Sequence, residues 1–185
     1  MSAVNVSGES TNSSQVNATP LPPVPPAPAG LTATPGDSQV GLSWNASLGA
    51  TSYNVKRATV NGGPYNTIAS PMTTNYTDTT AVNGTNYYYV VSAVNMGGES
   101  SGSAQVAAMP CSTAPVSLSM SLSGGALNLA WPSDHLGWIL QSQTNLLGSG
   151  VSTNWVDVAG SDVVTFTSLP VSGAIPSVFY RLRHP

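Results

Sequence analysis

Any chemistry in this chain has to come from few side chains. Seven carboxylates (Glu9, Asp37, Asp78, Glu99, Asp134, Asp157 and Asp162), two histidines (His135 and His184) and Cys111 could carry a proton, a nucleophile or a metal. Glycoside hydrolysis wants two carboxylates roughly 5–10 Å apart. Most of the seven fall in turns or at strand ends, and no motif sets out a pair. A Ser-His-Asp site needs a usable histidine. His184 is the penultimate residue, and Ser133-Asp134-His135 reads as a polar turn after Trp131-Pro132. Metal sites need three or more clustered ligands. Asp134 with His135 is only two, and no Asp-x-Asp-x-Asp calcium loop occurs. Cys111 lacks a partnering histidine in its own module. The expectation is a chain with no catalytic residue, no cofactor and no metal. One binding chemistry is open to it. Trp138 and Trp155 could stack on sugar rings, with Asp134 and His135 beside them to bond hydroxyls. The competing reading places both indoles in a core.

The composition narrows the partners. Only 6 % of the 185 residues are charged, against about 25 % in ordinary globular domains. Ser, Thr, Asn and Gly must supply solubility, as on many extracellular β-proteins. The four cations are Lys56, Arg57, Arg181 and Arg183, and the net charge is −3. A phosphate backbone would find no basic footprint, so nucleic acid is excluded as a partner. No apolar run approaches the ~18 residues of a membrane-spanning helix. Met1–Asn17 is polar, with no h-region of a signal peptide. One cysteine precludes an internal disulfide. Six Asn-x-Ser/Thr sequons, at Asn5, Asn12, Asn17, Asn45, Asn75 and Asn83, suit a glycoprotein but also arise readily by chance in an Asn/Ser/Thr-rich chain.

The chain repeats itself. MSAVNVSGESTNSSQVNATP at 1–20 matches VSAVNMGGESSGSAQVAAMP at 91–110 in 12 of 20 positions, without a gap, at an offset of 90. Both segments end at a proline before a linker. Residues 1–20 therefore read as the final strands of a preceding domain whose front is missing. Ala3, Val4, Asn5 and Val6 are the candidate strand-pairing residues, because an unpaired strand is a template for edge pairing. Residues 21–28 continue a run in which 20–28 holds six prolines, a stiff polyproline spacer.

Residues 29–110 carry short alternating strands between turn signals. Leu31 and Ala33 begin the first. Val40, Leu42 and Trp44 alternate on the second, and Tyr53, Val55 and Arg57 on the third. Gly62-Gly63-Pro64 turns the chain. Tyr87, Tyr89, Val91 and Ala93 share one face by period two. The order Leu-x-Ala, Leu-x-Trp, Tyr-x-Val, Gly-Thr-x-Tyr-x-Tyr-x-Val-x-Ala-x-Asn, Gly-x-Ser resembles a fibronectin type III domain. That resemblance implies a seven-stranded immunoglobulin-like sandwich, with Trp44 in the core and Tyr87 as the tyrosine corner. Bacterial versions often act as spacers in extracellular enzymes that attack polysaccharides. No Arg-Gly-Asp loop is present, so integrin-type adhesion is not implied.

After a junction at 111–115, residues 116–185 read as a second small β-sandwich. Val116, Leu118, Met120 and Leu122 alternate with serines, a half-buried strand. Gly124-Gly125 turns it into Leu127, Leu129 and Trp131. About four further strands follow. Leu129-Ala-Trp-Pro, Gly137-Trp-x-Leu-Gln-Ser, Asn154-Trp-Val-Asp-Val and Phe179-Tyr-Arg-Leu-Arg resemble a C-terminal module of large secreted bacterial multimodular proteins. The fold class is thus all-β throughout.

Two functions remain open at this level. The chain is a non-catalytic extracellular structural protein, such as a surface-assembly or fibre subunit joined to copies of itself through residues 1–20. Alternatively, it is a carbohydrate-binding or spacer region of a secreted polysaccharide-degrading enzyme, partnered by adjacent modules or by polysaccharide.

Overall fold

The computed structural model describes residues 1–145, 150–171 and 177–185. A two-stranded hairpin opens the chain, β1 (Val4–Asn5) against β2 (Gly8–Glu9). Two sandwiches follow. In the first, one sheet runs β3 (Thr32–Gly36), β4 (Gln39–Ser43), β7 (Asn75–Asp78). The other runs β6 (Asn66–Ala69), β5 (Ser52–Ala58), β8 (Tyr87–Asn95), β10 (Val106–Ala108), with β9 (Gly98–Glu99) also on β8. The alternation seen in the sequence makes the core: Val40, Leu42, Trp44, Tyr53, Val55, Tyr87, Tyr89, Val91 and Ala93 all lie buried between the sheets. Trp44 meets Tyr53 edge-on at 5.5 Å. Tyr87 Oη accepts the Val82 amide at 3.1 Å, five residues upstream. That is the hydrogen bond implied for a tyrosine corner.

The second sandwich follows the same path with fewer strands. One sheet runs β11 (Ser119–Ser123), β12 (Ala126–Ala130), β15 (Phe166–Pro170). The other runs β14 (Val156–Asp157), β13 (Ile139–Asn145), β16 (Ser177–Arg183). Gly124 and Gly125 take φ of 57° and 75°, the two positive values a tight hairpin turn demands. Leu129, Trp131 and Leu140 form the buried centre, with Leu118, Val158, Leu169 and Leu182 packed around it. In each sandwich a tryptophan just past the second strand donates its amide to a threonine across the sheet at 3.0 Å, Trp44 to Thr74 and Trp131 to Thr165.

One expectation fails here. The serine-alternating strand is not half-buried: Met120 is 72 % and Leu122 68 % exposed. β11 is an edge strand, and all five of its residues are exposed. Only Leu118 of that row joins the core.

The segments between the elements are packed too. Asn95 Nδ2 donates to the Pro23 carbonyl at 2.8 Å and to that of Gly49 at 3.2 Å. The proline run thus lies against the β8–β9 hairpin. Gly97 is needed there for space, since a Cβ at that position would overlap the Pro22 carbonyl.

Candidate functional site

The two sugar-stacking candidates do not make a platform. Trp138 is buried, at 8 % exposure. Its Nε1–H donates to the Ser112 carbonyl at 2.8 Å, and the rings of His135 and His184 pack against it edge-on at 5.0 and 5.4 Å. A strand leading out of the Ser133–His135 turn puts this indole beneath the 111–115 junction, where no sugar reaches it. His135 follows it there, while Asp134 stays exposed beside it. His135 is buried, its Nδ1 2.7 Å from Asp134 Oδ1 and its Nε2 2.8 Å from the Ala114 carbonyl.

Trp155 is half-buried on the second sandwich. The Arg181 guanidinium lies over its ring at 4.3 Å. Arg181 Nε donates to Gln141 Oε1 at 2.8 Å, and Gln141 Nε2 donates to Asp157 Oδ1 at 2.6 Å. Arg183 reaches Asp157 Oδ2 at 3.4 Å. β13, β14 and β16 bring these residues together by register, with Gln141 facing both Asp157 and Arg181. The ladder holds an aromatic ring beside fixed polar groups, but one face of that ring is already taken by arginine.

Of the strand-pairing candidates, Val4 and Asn5 lie in β1 and Ala3 flanks it. Val6 does not belong to that edge. It sits exposed in the turn, as does its counterpart Met96.

Four of the seven carboxylates, Asp37, Asp78, Glu99 and Asp157, are tied down by hydrogen bonds. Asp78 is fully buried. Arg57 Nη1 and Tyr89 Oη donate to its Oδ2 at 2.7 and 2.9 Å, and the Thr80 amide and hydroxyl donate to Oδ1 at 3.0 and 2.8 Å. Burial pushes its pKa up, but these four donors outweigh burial and hold it below the usual range. Asn83 and Thr113 lower Asp37, Gln141 lowers Asp157, and Lys56 with Ser92 brings Glu99 down to about 2. A general acid needs the opposite, a carboxyl kept protonated near neutral pH. Among the described residues no group of three or more His, Cys, Asp or Glu side chains is placed to hold a metal.

Cys111 holds a contact that sequence reasoning missed. Its Sγ lies 3.6 Å from His184 Nε2, across 73 residues. No spacing signal marks this pair, because it forms only where the second sandwich meets the junction. Burial, and then Asp37, push the thiol pKa up. The thiolate is disfavoured, which is not the state of an activated nucleophile. Both residues line an open cleft of about 660 Å³ between the sandwiches, with Pro35, Met109 and Val163 among its walls.

These shifts fix a pH profile. Glu99 drops from an ordinary 4.5 to about 2, and Asp78 is also lowered. Their contribution is present above about 4.5 and lost as pH falls through the folded values. His135 runs the other way. Burial lowers it, but the bonds to Ala114 and Asp134 raise it above its ordinary 6.5. Its contribution is present below 6.5 and lost as pH rises through the folded value. Thermal melts across pH 2–9 should show greatest stability between about pH 4.5 and 6.5. The acid loss should fall on both sandwiches, through Glu99 and Asp78 in the first and Asp157 in the second, and the alkaline loss on the second. A profile flat from pH 5 to 9 would show that His135 carries no such linkage.

With the geometry in place, the chain can be set beside known proteins. Residues 26–109 match the family model of the fibronectin type III domain. They are a fibronectin type III domain. This is a non-catalytic type of module. Over 88 residues the chain is 46 % identical to an amylopullulanase of Thermoanaerobacterium saccharolyticum, a stretch covering 46 % of this chain and 7 % of that protein. It is 49 % identical over 82 residues to an amylopullulanase of Thermoanaerobacter thermohydrosulfuricus, covering 43 % of this chain and 6 % of that one. A poly(3-hydroxybutyrate) depolymerase of Ralstonia pickettii is 45 % identical over 84 residues, 44 % of this chain and 16 % of its own length. Among solved structures, a Fn3-like protein from Clostridium thermocellum is 50 % identical, with a TM-score of 0.41, covering 46 % of this chain and 90 % of that one. The chain thus matches a small module of much longer bacterial enzymes. No helix among the described residues is long and apolar enough to cross a membrane.

Proposed function

We propose that this chain is a non-catalytic spacer region of a longer extracellular polysaccharide-degrading protein, setting the distance and angle between its neighbouring modules. One observation carries the reading. The relatives at 46–49 % identity are amylopullulanases in which the matching stretch is 6–7 % of the length. Two features of the fold favour a spacer over a flexible tether. The proline run is bonded to the β8–β9 hairpin through Asn95. The junction after the fibronectin domain is bonded on both sides, by Asp37 to Thr113 and by Trp138 to Ser112. A charge-poor, hydroxyl-rich surface suits an extracellular setting. The fibre-subunit reading of the sequence finds no support in these relatives.

A sugar-binding role would have to rest on Trp155, whose ring stays half-exposed beside Gln141 and Asp157. Affinity electrophoresis in gels containing soluble starch or pullulan separates the two readings. The spacer runs without retardation. Retardation that Trp155→Ala abolishes would replace the spacer with a binding module.

A further inference from the structure

The N-terminal hairpin repeats the end of the fibronectin domain bond for bond. Val4 pairs Glu9 and Asn5 pairs Gly8, as Val94 pairs Glu99 and Asn95 pairs Gly98. The Ser10 amide donates to the Ala3 carbonyl at 2.9 Å, and Ser100 to Ala93 at 2.8 Å. Ser13 donates to Met1, and Ser103 to Val91, both at 2.8 Å. The Ala3 amide donates to Ser10 Oγ at 3.0 Å, and Ala93 to Ser100 Oγ at 2.9 Å. Asn5 and Asn95 each accept the amide two residues on, at 2.8 and 2.7 Å. Gly8 and Gly98 share φ values of 129° and 138°.

The surroundings differ completely. Val91 and Ala93 are fully buried and Ala108 is 6 % exposed, whereas Met1, Ala3 and Ala18 face solvent. Val106 packs on the core, and its counterpart Val16 is 89 % exposed. In the intact domain the same edge is closed by β5, with Tyr53 opposite Ala93 and Ser52 opposite Val94. At Met1–Asn5 neither that strand nor the facing sheet is present among the described residues. A hairpin alone is marginal in water, so an apolar row in this position implies a cover.

We propose that residues 1–19 are the closing hairpin and last strand of another fibronectin type III fold. Their open edge takes a strand with the Tyr-x-Val alternation of Ser52–Ala58, supplied by a preceding copy of the domain in the same polypeptide. The surface involved is Met1–Asn5 with Val16 and Ala18. This holds whether or not the protein is a spacer.

The test extends the full chain at its N-terminus with its own residues 27–90, so that residue 90 is followed by Met1. Because 1–20 corresponds to 91–110, the fusion regenerates a complete domain. Hydrogen exchange at the Ala3, Ser10 and Ser13 amides should slow by about 100-fold or more relative to the unextended chain. Calorimetry should show an additional cooperative transition. The same extension followed by 91–110 in place of 1–20 is the folding control, and one with residues 1–19 scrambled should gain neither signal. Unchanged exchange at the three amides while the control folds overturns the proposal, as does equal protection in the scrambled chain. Sedimentation of the unextended chain should give a monomer. A dimer with residues 1–13 protected would overturn the in-chain partner and assign the edge to a second copy.

Discussion

Replacing Arg57 by alanine should cost the first sandwich about 3–5 kcal/mol, the penalty for leaving a buried charge without its counter-ion. For a domain of this size that lowers the melting temperature by on the order of 20 °C. The magnitude follows from an asymmetry within the pair. Asp78 is fully buried, while the Arg57 side chain keeps 22 % exposure. Deleting the aspartate would leave a cation that can still reach water. Deleting the arginine leaves a carboxylate with only the Tyr89 and Thr80 donors. Tyr87 also loses the guanidinium packed 4.7 Å from its ring centroid, next to the tyrosine corner. Replacing the buried pair by apolar groups is far cheaper than halving it. Arg57→Met combined with Asp78→Leu and Tyr89→Phe should therefore recover most of the lost stability. Chemical denaturation of the parent, Arg57→Ala and the triple variant checks this. A loss below about 1 kcal/mol for Arg57→Ala would place the pair among ordinary surface ion pairs.

That network also marks where the sequence stops being legible. The core of the first sandwich could be read directly, because Leu42, Trp44, Tyr53, Tyr87 and Tyr89 alternate on strands whose turns are spelled by glycine, proline and asparagine. Arg57 was visible only as the end of an alternating row, and Asp78 as a carboxylate near a strand end. Nothing local says that two charges 21 residues apart meet under Tyr87. The same limit explains the tryptophans. Trp44 follows a Leu-x-Trp alternation and is core. Trp138 opens a strand after a polar turn, where periodicity cannot say which side is covered. Its cover comes from the junction and from His184, at long range. Met120 and Leu122 show the converse. Their alternation is as regular as that of Val40 and Leu42, yet burial needs an opposite sheet that extends over the strand, and sequence period does not report the width of a sheet. The repeat was the most informative feature. Twelve identities at an offset of 90 anticipated a hairpin whose register and side-chain bonds follow that offset residue for residue.

Trp138→Ala should be the most damaging change in the second half of the chain, because one indole serves both the fold and the joint. Truncating a buried tryptophan costs about 3–5 kcal/mol. The second sandwich has a small buried centre, Leu129, Trp131 and Leu140, and little surplus to absorb the loss. The Ser112 carbonyl loses its donor as well, and His135 and His184 lose the ring they pack against. His184 is then released from its place beside Cys111. The fibronectin domain should keep its core, which is a cluster separate from that of the second sandwich. Two consequences can be measured separately. Calorimetry should show the second sandwich melting well below the first, where the parent protein holds the two transitions closer together. Cys111 should react faster with a thiol reagent at temperatures where the second sandwich is still folded, because its histidine and aromatic cover are loosened. Trp138→Phe keeps a ring but no donor. It should recover most of the packing and leave only the cost of an unmet carbonyl, about 1–3 kcal/mol. If Trp138→Ala melts as the parent does, the indole is not the pin of this junction, which would then be held by the Thr113–Asp37 bonds and the Ser112 amide bond to the Asp134 carbonyl instead.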